Sequence, residues 1–232
     1  MLTIIFSALS NLPASAQETS LDAKRLCETI VPEPQINFTT SYGKLVYDFS
    51  KSRSELTELG NQAGIFEQGT FAAGLALVNI SYEYNLTTAR KIMWNNDLCV
   101  IPTAIDIFIG YKNPVIYLAN ELTPGSCTYN LVLRHEQVHQ QINTEALEYF
   151  IPRFQRQLNK LVREIAPVHL NASESQDKAT EILTNAYTRQ LNSLVAVLRN
   201  EILTEQHKLD NSGNYRMEGD VCRYFNQRRK TD

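Results

Sequence analysis

The sequence predicts an α+β fold: a small mixed or antiparallel sheet, then a long helix on which it packs, then a second long helix antiparallel to the first. Three observations predict it. Apolar residues recur with period two in short runs up to Ala119, the period becomes helical from about Thr128, and a break around Pro167 divides the helical part in two. With 232 residues and 43% hydrophobic content, the chain can bury a sizeable core. A single domain is expected over 17–232, with its helical part at about 128–208.

Residues 17–36 are polar, carry Pro32 and Pro34, and read as a leader without a clear period. Tyr42 to Phe49 alternates, with Leu45, Tyr47 and Phe49 on one side, and reads as a strand. Ser50 to Leu56 offers N-cap hydroxyls and then a short helix that ends near Gly60. Phe71 to Tyr84 is a strand with Val78, Ile80, Tyr82 and Tyr84 on one face, and Cys99 to Ile109 is dense enough in apolar residues for burial on both faces. Pro114 to Ala119 is a short strand opened by a proline, which suits a sheet edge. The first long helix runs from Thr128 to about Ile165, broken or bent near Pro152, with Leu131, Val138, Ile142, Phe154, Leu158 and Leu161 in its apolar stripe. The second runs from about Glu174 to Lys208, and Asp210 to Gly219 is turn-rich.

Within the first long helix, His135-Glu136-Gln137-Val138-His139 spells H-E-x-x-H. Positions i and i+4 share a helix face, so both imidazoles can take neighbouring positions on one metal ion. Glu136 lies beside them, where it can hold a water as a general base. Both histidines sit on or beside the apolar stripe, so the motif faces inward. Without an ion, two buried imidazoles and a carboxylate would each need other hydrogen-bond partners.

A catalytic zinc takes three protein ligands and keeps one position open. With the turn between the helices centred near residue 169 or 170, the positions level with His139 and His135 fall near 200 and 204. Glu201 is therefore the expected third ligand, with Glu205 next and His207 or Asp210 behind. Glu145 is a weaker candidate, because it lies on another side of the same helix. Tyr129, Arg134 and Tyr215 are candidates for stabilising a developing oxyanion.

Leu2 to Leu9 is an apolar run, and Ala14-Ser15-Ala16 forms an A-x-A site before Gln17, so residues 1–16 read as a secretory signal peptide that lacks a basic residue ahead of the run. The mature chain is expected to be secreted or periplasmic, with no membrane span. The four cysteines, Cys27, Cys99, Cys127 and Cys222, contain no C-x-x-C pair and imply two disulfides. Three connectivities are open; Cys99–Cys127 is favoured because these residues flank a predicted hairpin, which leaves Cys27–Cys222. A formal charge of −3 gives no electrostatic footprint for nucleic acid. Sequons at Asn37, Asn79, Asn85 and Asn171 carry weight only in a eukaryotic source.

These residues also carry a resemblance. Tyr47-Asp48-Phe49 with Glu55-Leu56, Ser81-Tyr82-Glu83-Tyr84, the strand at Cys99, Leu133 to His139, and Gln206-His207-Lys208-Leu209-Asp210 resemble the bacterial predicted secreted zinc-dependent proteases, a domain of unknown function. The resemblance covers roughly residues 40–216, and only the helix motif in it is specific. It implies a zincin-like fold and an exported zinc peptidase acting on a peptide or protein substrate. The family often follows its tyrosine–aspartate stretch with a histidine–glycine pair; here Asp210 is kept without that histidine. Zinc at His135 and His139 with Glu136 as base fits peptide hydrolysis without a covalent intermediate. A zinc hydrolase of other amides shares the same residues. A non-catalytic extracytoplasmic binding or envelope module is the alternative, against which Glu136 speaks, because a structural zinc site needs no base.

Overall fold

The computed structural model describes residues 14–65 and 71–228. It is a mixed α+β structure with elements in the order α1 (Ala14–Glu28), β1 (Gln35–Ser41), β2 (Val46–Asp48), α2 (Arg53–Gln62), β3 (Gly74–Leu77), β4 (Ile80–Ile92), β5 (Leu98–Tyr111), β6 (Val115–Leu118), α3 (Cys127–Glu164), β7 (Val168–Leu170), α4 (Gln176–Leu209) and α5 (Ser212–Arg228). Strands β1, β5 and β4 form one sheet in that order, with β7 also pairing β5, and β2, β6 and β3 form a second. Most of the proposed signal segment lies outside the described residues; its last residues, 14–16, open α1.

The chain gathers into two compact units, each drawn from three stretches. The first takes residues up to Asn37 with Asn85–Asp106 and Gln157–Leu191. Here β7 pairs antiparallel with β5, setting Leu98 opposite Leu170 and Val100 opposite Val168. Val100, Leu170, Ala179 and Leu183 form one buried cluster. Ala23, Cys27, Met93 and Cys99 form another, beneath α1. Asp97, buried at the head of β5, accepts from Asn95 Nδ2 (2.7 Å), Ser20 Oγ (3.2 Å) and the Ala172 amide (3.2 Å), and lies 2.8 Å from His169 Nε2.

The second unit takes Phe38–Tyr84, Ile107–Arg156 and Asn192–Asp232. Helix α2 opens on the expected capping hydroxyl: Ser52 and Glu55 form a capping box. Leu56, Ala72, Leu118, Ala119 and Leu122 make a core against which Val132 and Leu133 of α3 pack. Further along α3, Phe154 meets Phe38 and Phe150 at ring distances of 5.9 and 5.6 Å. Pro152 sits inside α3 without ending it.

Three strand readings change. Of the run 42–49 only Val46–Asp48 is strand, as β2; β1 has ended at Ser41, and the chain turns between them at Gly43, whose φ is +69° and where a Cβ would come within 2.6 Å of Pro114 Cδ. The run 71–84 divides into β3 and β4. The strand expected at an edge, β6, is instead the middle strand, parallel to β2 and antiparallel to β3. Pro114 permits this because it precedes the ladder: it accepts from the Val46 amide at 3.0 Å through its carbonyl, and its missing N–H leaves no gap. The free edges belong to β2 and β3.

The disulfides also differ from expectation. They join Cys27 to Cys99 and Cys127 to Cys222, each within one unit. Cys99 begins β5 against α1, so its near neighbour is Cys27, and Cys127 opens α3 where α5 passes. Two disulfides fit an oxidising compartment. Among the described residues no helix is long and apolar enough to cross a membrane.

Candidate metal centre

His135 and His139 lie one turn apart on α3, with ring centroids 4.7 Å apart and planes at 74°. Their Nε2 atoms are 3.0 Å from each other, and each is 3.0 Å from Oδ1 of Asp210. Relative exposures of 7%, 6% and 8% for His135, Glu136 and His139 show how little water reaches this point. Among the described residues, His135, His139 and Asp210 are the only group of three side chains whose ligand atoms converge closely enough to hold a metal ion.

Asp210 is delivered by the corner between α4 and α5. Asn211 is the N-cap of α5, its Oδ1 accepting from the amides of Gly213 and Asn214 at 2.9 Å. Its own amide donates to the Lys208 carbonyl (2.7 Å), and that of Asn214 donates to the Leu209 carbonyl (2.9 Å). The last carbonyls of α4 are thus satisfied by side chains of the next helix, which fixes the turn that holds Asp210 between them. Tyr215, in the first turn of α5, donates to Asp210 Oδ1 at 2.5 Å and lies with its ring 5.3 Å from that of His135.

The outward nitrogens decide what the inward ones offer. His135 Nδ1 faces Glu218 Oε1 at 3.1 Å, and His139 Nδ1 faces Gln206 Oε1. The Gln206 amide is oriented by donating its Nε2 to the His139 carbonyl at 3.1 Å. Asn143 donates to the same carbonyl (3.0 Å) and is itself held through its own carbonyl by the Tyr111 hydroxyl (2.8 Å). Both partners of Nδ1 are acceptors, so each neutral imidazole carries its proton on Nδ1 and turns the Nε2 lone pair inward. Two such lone pairs and a carboxylate oxygen cannot satisfy one another; a cation must lie among them, either protons or a metal ion.

The residues fit a metal. Nitrogen and carboxylate ligands at zinc distances stand about 3.3 Å apart in a tetrahedral set, a few tenths of an ångström more than the spacing here. In the absence of metal, protons fill the role. Burial works to lower His135, yet the hydrogen bonds to Asp210 and Glu218 outweigh it and raise it to about 9. His139 is raised for the same kind of reason, through Asp210 and Gln206. Burial works to raise Asp210, but bonds from His135, His139 and Tyr215 hold it well below the usual carboxylate range. Burial and the bond to Asp210 push the Tyr215 phenol up, so it remains a donor.

Glu136 lies beside the donors and against β3. The Ala76 amide donates to its carboxylate, while a Cβ at Gly74 would sit 2.6 Å from Glu136 Oε1 and 2.6 Å from Val132 Cγ1. Only a glycine lets the strand approach α3 this closely. Burial raises Glu136 to about 7, against the nearby histidines and the Ala76 amide, which favour its charged form. A carboxyl poised there exchanges protons readily near neutrality.

The other sequence candidates lie elsewhere. Glu201 pairs with Arg153 at 2.8 Å, Glu205 pairs with Lys208 at 2.6 Å, and His207 is exposed. Asp210, ranked behind them, is the residue brought to the histidines. The register slipped because the connection between the helices is not a plain turn: it contains β7, and Gln206 instead of residue 200 meets His139. Glu145 accepts from Gln141 on the helix surface. Of the oxyanion candidates, Tyr215 reaches the group, Arg134 is exposed and Tyr129 stacks on Phe49. Gln206 and Glu218 were not anticipated in any role; Gln206 lies in a stretch that carries the family resemblance, and nothing in the sequence marks Glu218. Compared with protein-family models, with curated proteins and with solved structures, the chain finds no match.

Proposed function

We propose that this chain is an exported zinc-dependent metallopeptidase of a zincin-like kind. The observation that carries the reading is the convergence of two imidazole nitrogens and a carboxylate oxygen beside the buried Glu136. His135, His139 and Asp210 would hold the ion, and the nitrogen and oxygen donor set suits zinc with a position left open. When bound, zinc supplies a Lewis acid and makes water acidic near neutral pH. Glu136 takes the proton from the attacking water and returns it to the leaving amine, with Ala76 and the packing at Gly74 fixing where its carboxylate points. Tyr215 donates its hydroxyl to Asp210 Oδ1 and would orient that ligand; turned from Asp210, the same hydroxyl would serve a developing oxyanion. Strand β3, an outer strand whose amide already touches Glu136, can align an extended peptide by strand addition. The resemblance to secreted zinc-dependent proteases, the signal-like residues 1–16 and the two disulfides support export.

The near-complete burial of His135, Glu136 and His139 favours a second reading, a non-catalytic module that keeps the ion without turnover. Elemental analysis of the purified protein and its variants tests both. One zinc per chain is expected in the wild type, its loss in His139→Ala, and its retention in Glu136→Gln together with loss of hydrolysis of a denatured-protein substrate. No stoichiometric metal in the wild type sinks the metal reading. Zinc without turnover favours the module.

A further inference from the structure

We propose that the Cys127–Cys222 disulfide gates the metal centre: its closure straps residues 210–222 onto the start of α3, so that the donor set is complete only in the oxidised chain. The inference rests on the reading that His135, His139 and Asp210 bind a metal.

The strap carries much of the centre. Asp210 supplies the third donor, Tyr215 bonds that donor, and Glu218 holds Nδ1 of His135. Cys222 lies one turn beyond Glu218, on the same face of α5, and is joined to Cys127 in the first turn of α3. The chain therefore returns along α3 from His139 toward Cys127, with the disulfide as its far anchor.

Apolar packing adds little to the hold on α5 among its described side chains. Of its residues 213–224 only Cys222 is buried, while Met217 and Val221 are 63% and 60% exposed. A helix without a buried apolar stripe gains little from packing. The covalent bond takes the place of that stripe.

The two disulfides also differ in reach. Cys27 and Cys99 are both fully buried, whereas Cys127 is partly exposed at the start of its helix. Thiol–disulfide exchange requires access to a sulfur; Cys222 is 8% exposed and Cys127 more so, against 0% for Cys27 and Cys99, so the gate expects a dithiol to attack Cys127–Cys222 first. Closure of the strap takes two protons and two electrons from Cys127 and Cys222, and a disulfide-bearing oxidant accepts them and becomes a dithiol. Opening is the reverse exchange, in which a dithiol reductant is oxidised to its disulfide. In a reducing compartment the chain keeps its H-E-x-x-H helix but holds Asp210, Tyr215 and Glu218 loosely, and the centre forms after export.

The test is zinc affinity, by competition with a chromogenic chelator, on the full chain. It compares the oxidised wild type, the C127S/C222S variant and, as control, C27S/C99S. The gate predicts binding about 10- to 100-fold weaker in C127S/C222S, the range seen when supports of a metal ligand are lost, and a much smaller change in C27S/C99S. Should C127S/C222S fail to fold, native wild type opened with a mild dithiol, alkylated and freed of the reagent before zinc is added serves instead, with peptide mass confirming that Cys27–Cys99 stays closed. Faster chelator-driven release of zinc is then expected. Unchanged affinity and release on opening Cys127–Cys222, or an equal loss in C27S/C99S, overturns the gate alone. Absence of zinc binding by the oxidised wild type overturns the gate together with the metal reading.

Discussion

The backbone amide of Ala76 donates to the carboxylate of Glu136, joining an outer strand of the β2–β6–β3 sheet to the residue beside the paired histidines. The contact exists because Gly74, two residues earlier on β3, has no side chain to hold α3 away. Gly74→Ala would set a Cβ 2.6 Å from both Glu136 Oε1 and Val132 Cγ1. The expected result is about 1–3 kcal/mol of lost stability in urea melts. Zinc content should be kept while hydrolysis of a denatured protein falls at least about tenfold, since a small misplacement of a base is costly.

Asp210 and Glu201 make opposite predictions. Asp210→Ala removes an oxygen 3.0 Å from both Nε2 atoms and should weaken zinc binding by more than the about 10- to 100-fold typical of a supporting residue. Glu201→Ala breaks only a partly exposed pair with Arg153, worth less than about 1 kcal/mol, and should leave zinc affinity unchanged. Competition titrations on the two variants check both statements.

Metal binding should release protons. In the metal-free protein His135 is raised to about 9, so at pH 7.5 it is protonated and must lose that proton before its Nε2 can bind a cation. Apparent zinc affinity should therefore rise as pH rises toward 9. Calorimetry in buffers of different ionisation enthalpy should show net proton release at pH 7.5. The same raised value stabilises the metal-free fold below about pH 6.5, and this contribution fades as pH rises through about 9. Equal binding enthalpies in all buffers would contradict the assignment.

Asp97 predicts acid sensitivity in the other unit. Burial works to raise it, but bonds from Asn95, His169 and Ser20 win and lower it. A lowered carboxyl stabilises the fold above its unfolded value near 4, and that contribution is lost as pH falls through the folded value. Asp97→Asn should cost about 1–3 kcal/mol at pH 7, because the buried donors lose a charged acceptor, and much less at pH 3. Urea melts at the two pH values give the comparison.

Much of the fold was legible where burial imposes a period. Helix α3 was read nearly to its ends because Leu147, Phe150, Phe154, Leu158 and Leu161 are buried along it. Helix α1 leaves no period in the sequence because, of its residues 19–28, only Ala23 and Cys27 are buried, among charged neighbours. Helix α5 resembles a run of turns in the sequence because Gly213 and Gly219 lie inside it and only Cys222 is buried among residues 213–224. Strand β7 has three residues, too few to show a period, and its presence displaced the helix register on which the choice of Glu201 rested. The cysteine pairing depends on which chain segments meet in space, and spacing along the sequence carries no record of that.

The three donors are also separated in time. Asp210 follows His135 by 75 residues, and the stretch Gln157–Leu191 between them belongs to the other unit. A chain made from its N-terminus presents the H-E-x-x-H helix long before the residue that completes its set. For that interval the two histidines are a pair without a carboxylate, and an ion captured by them alone would be held weakly and exchanged freely. On the metal reading proposed above, retention of the ion would be a late event in the life of each molecule, and the zinc content of chains arrested before and after Asp210 would date it.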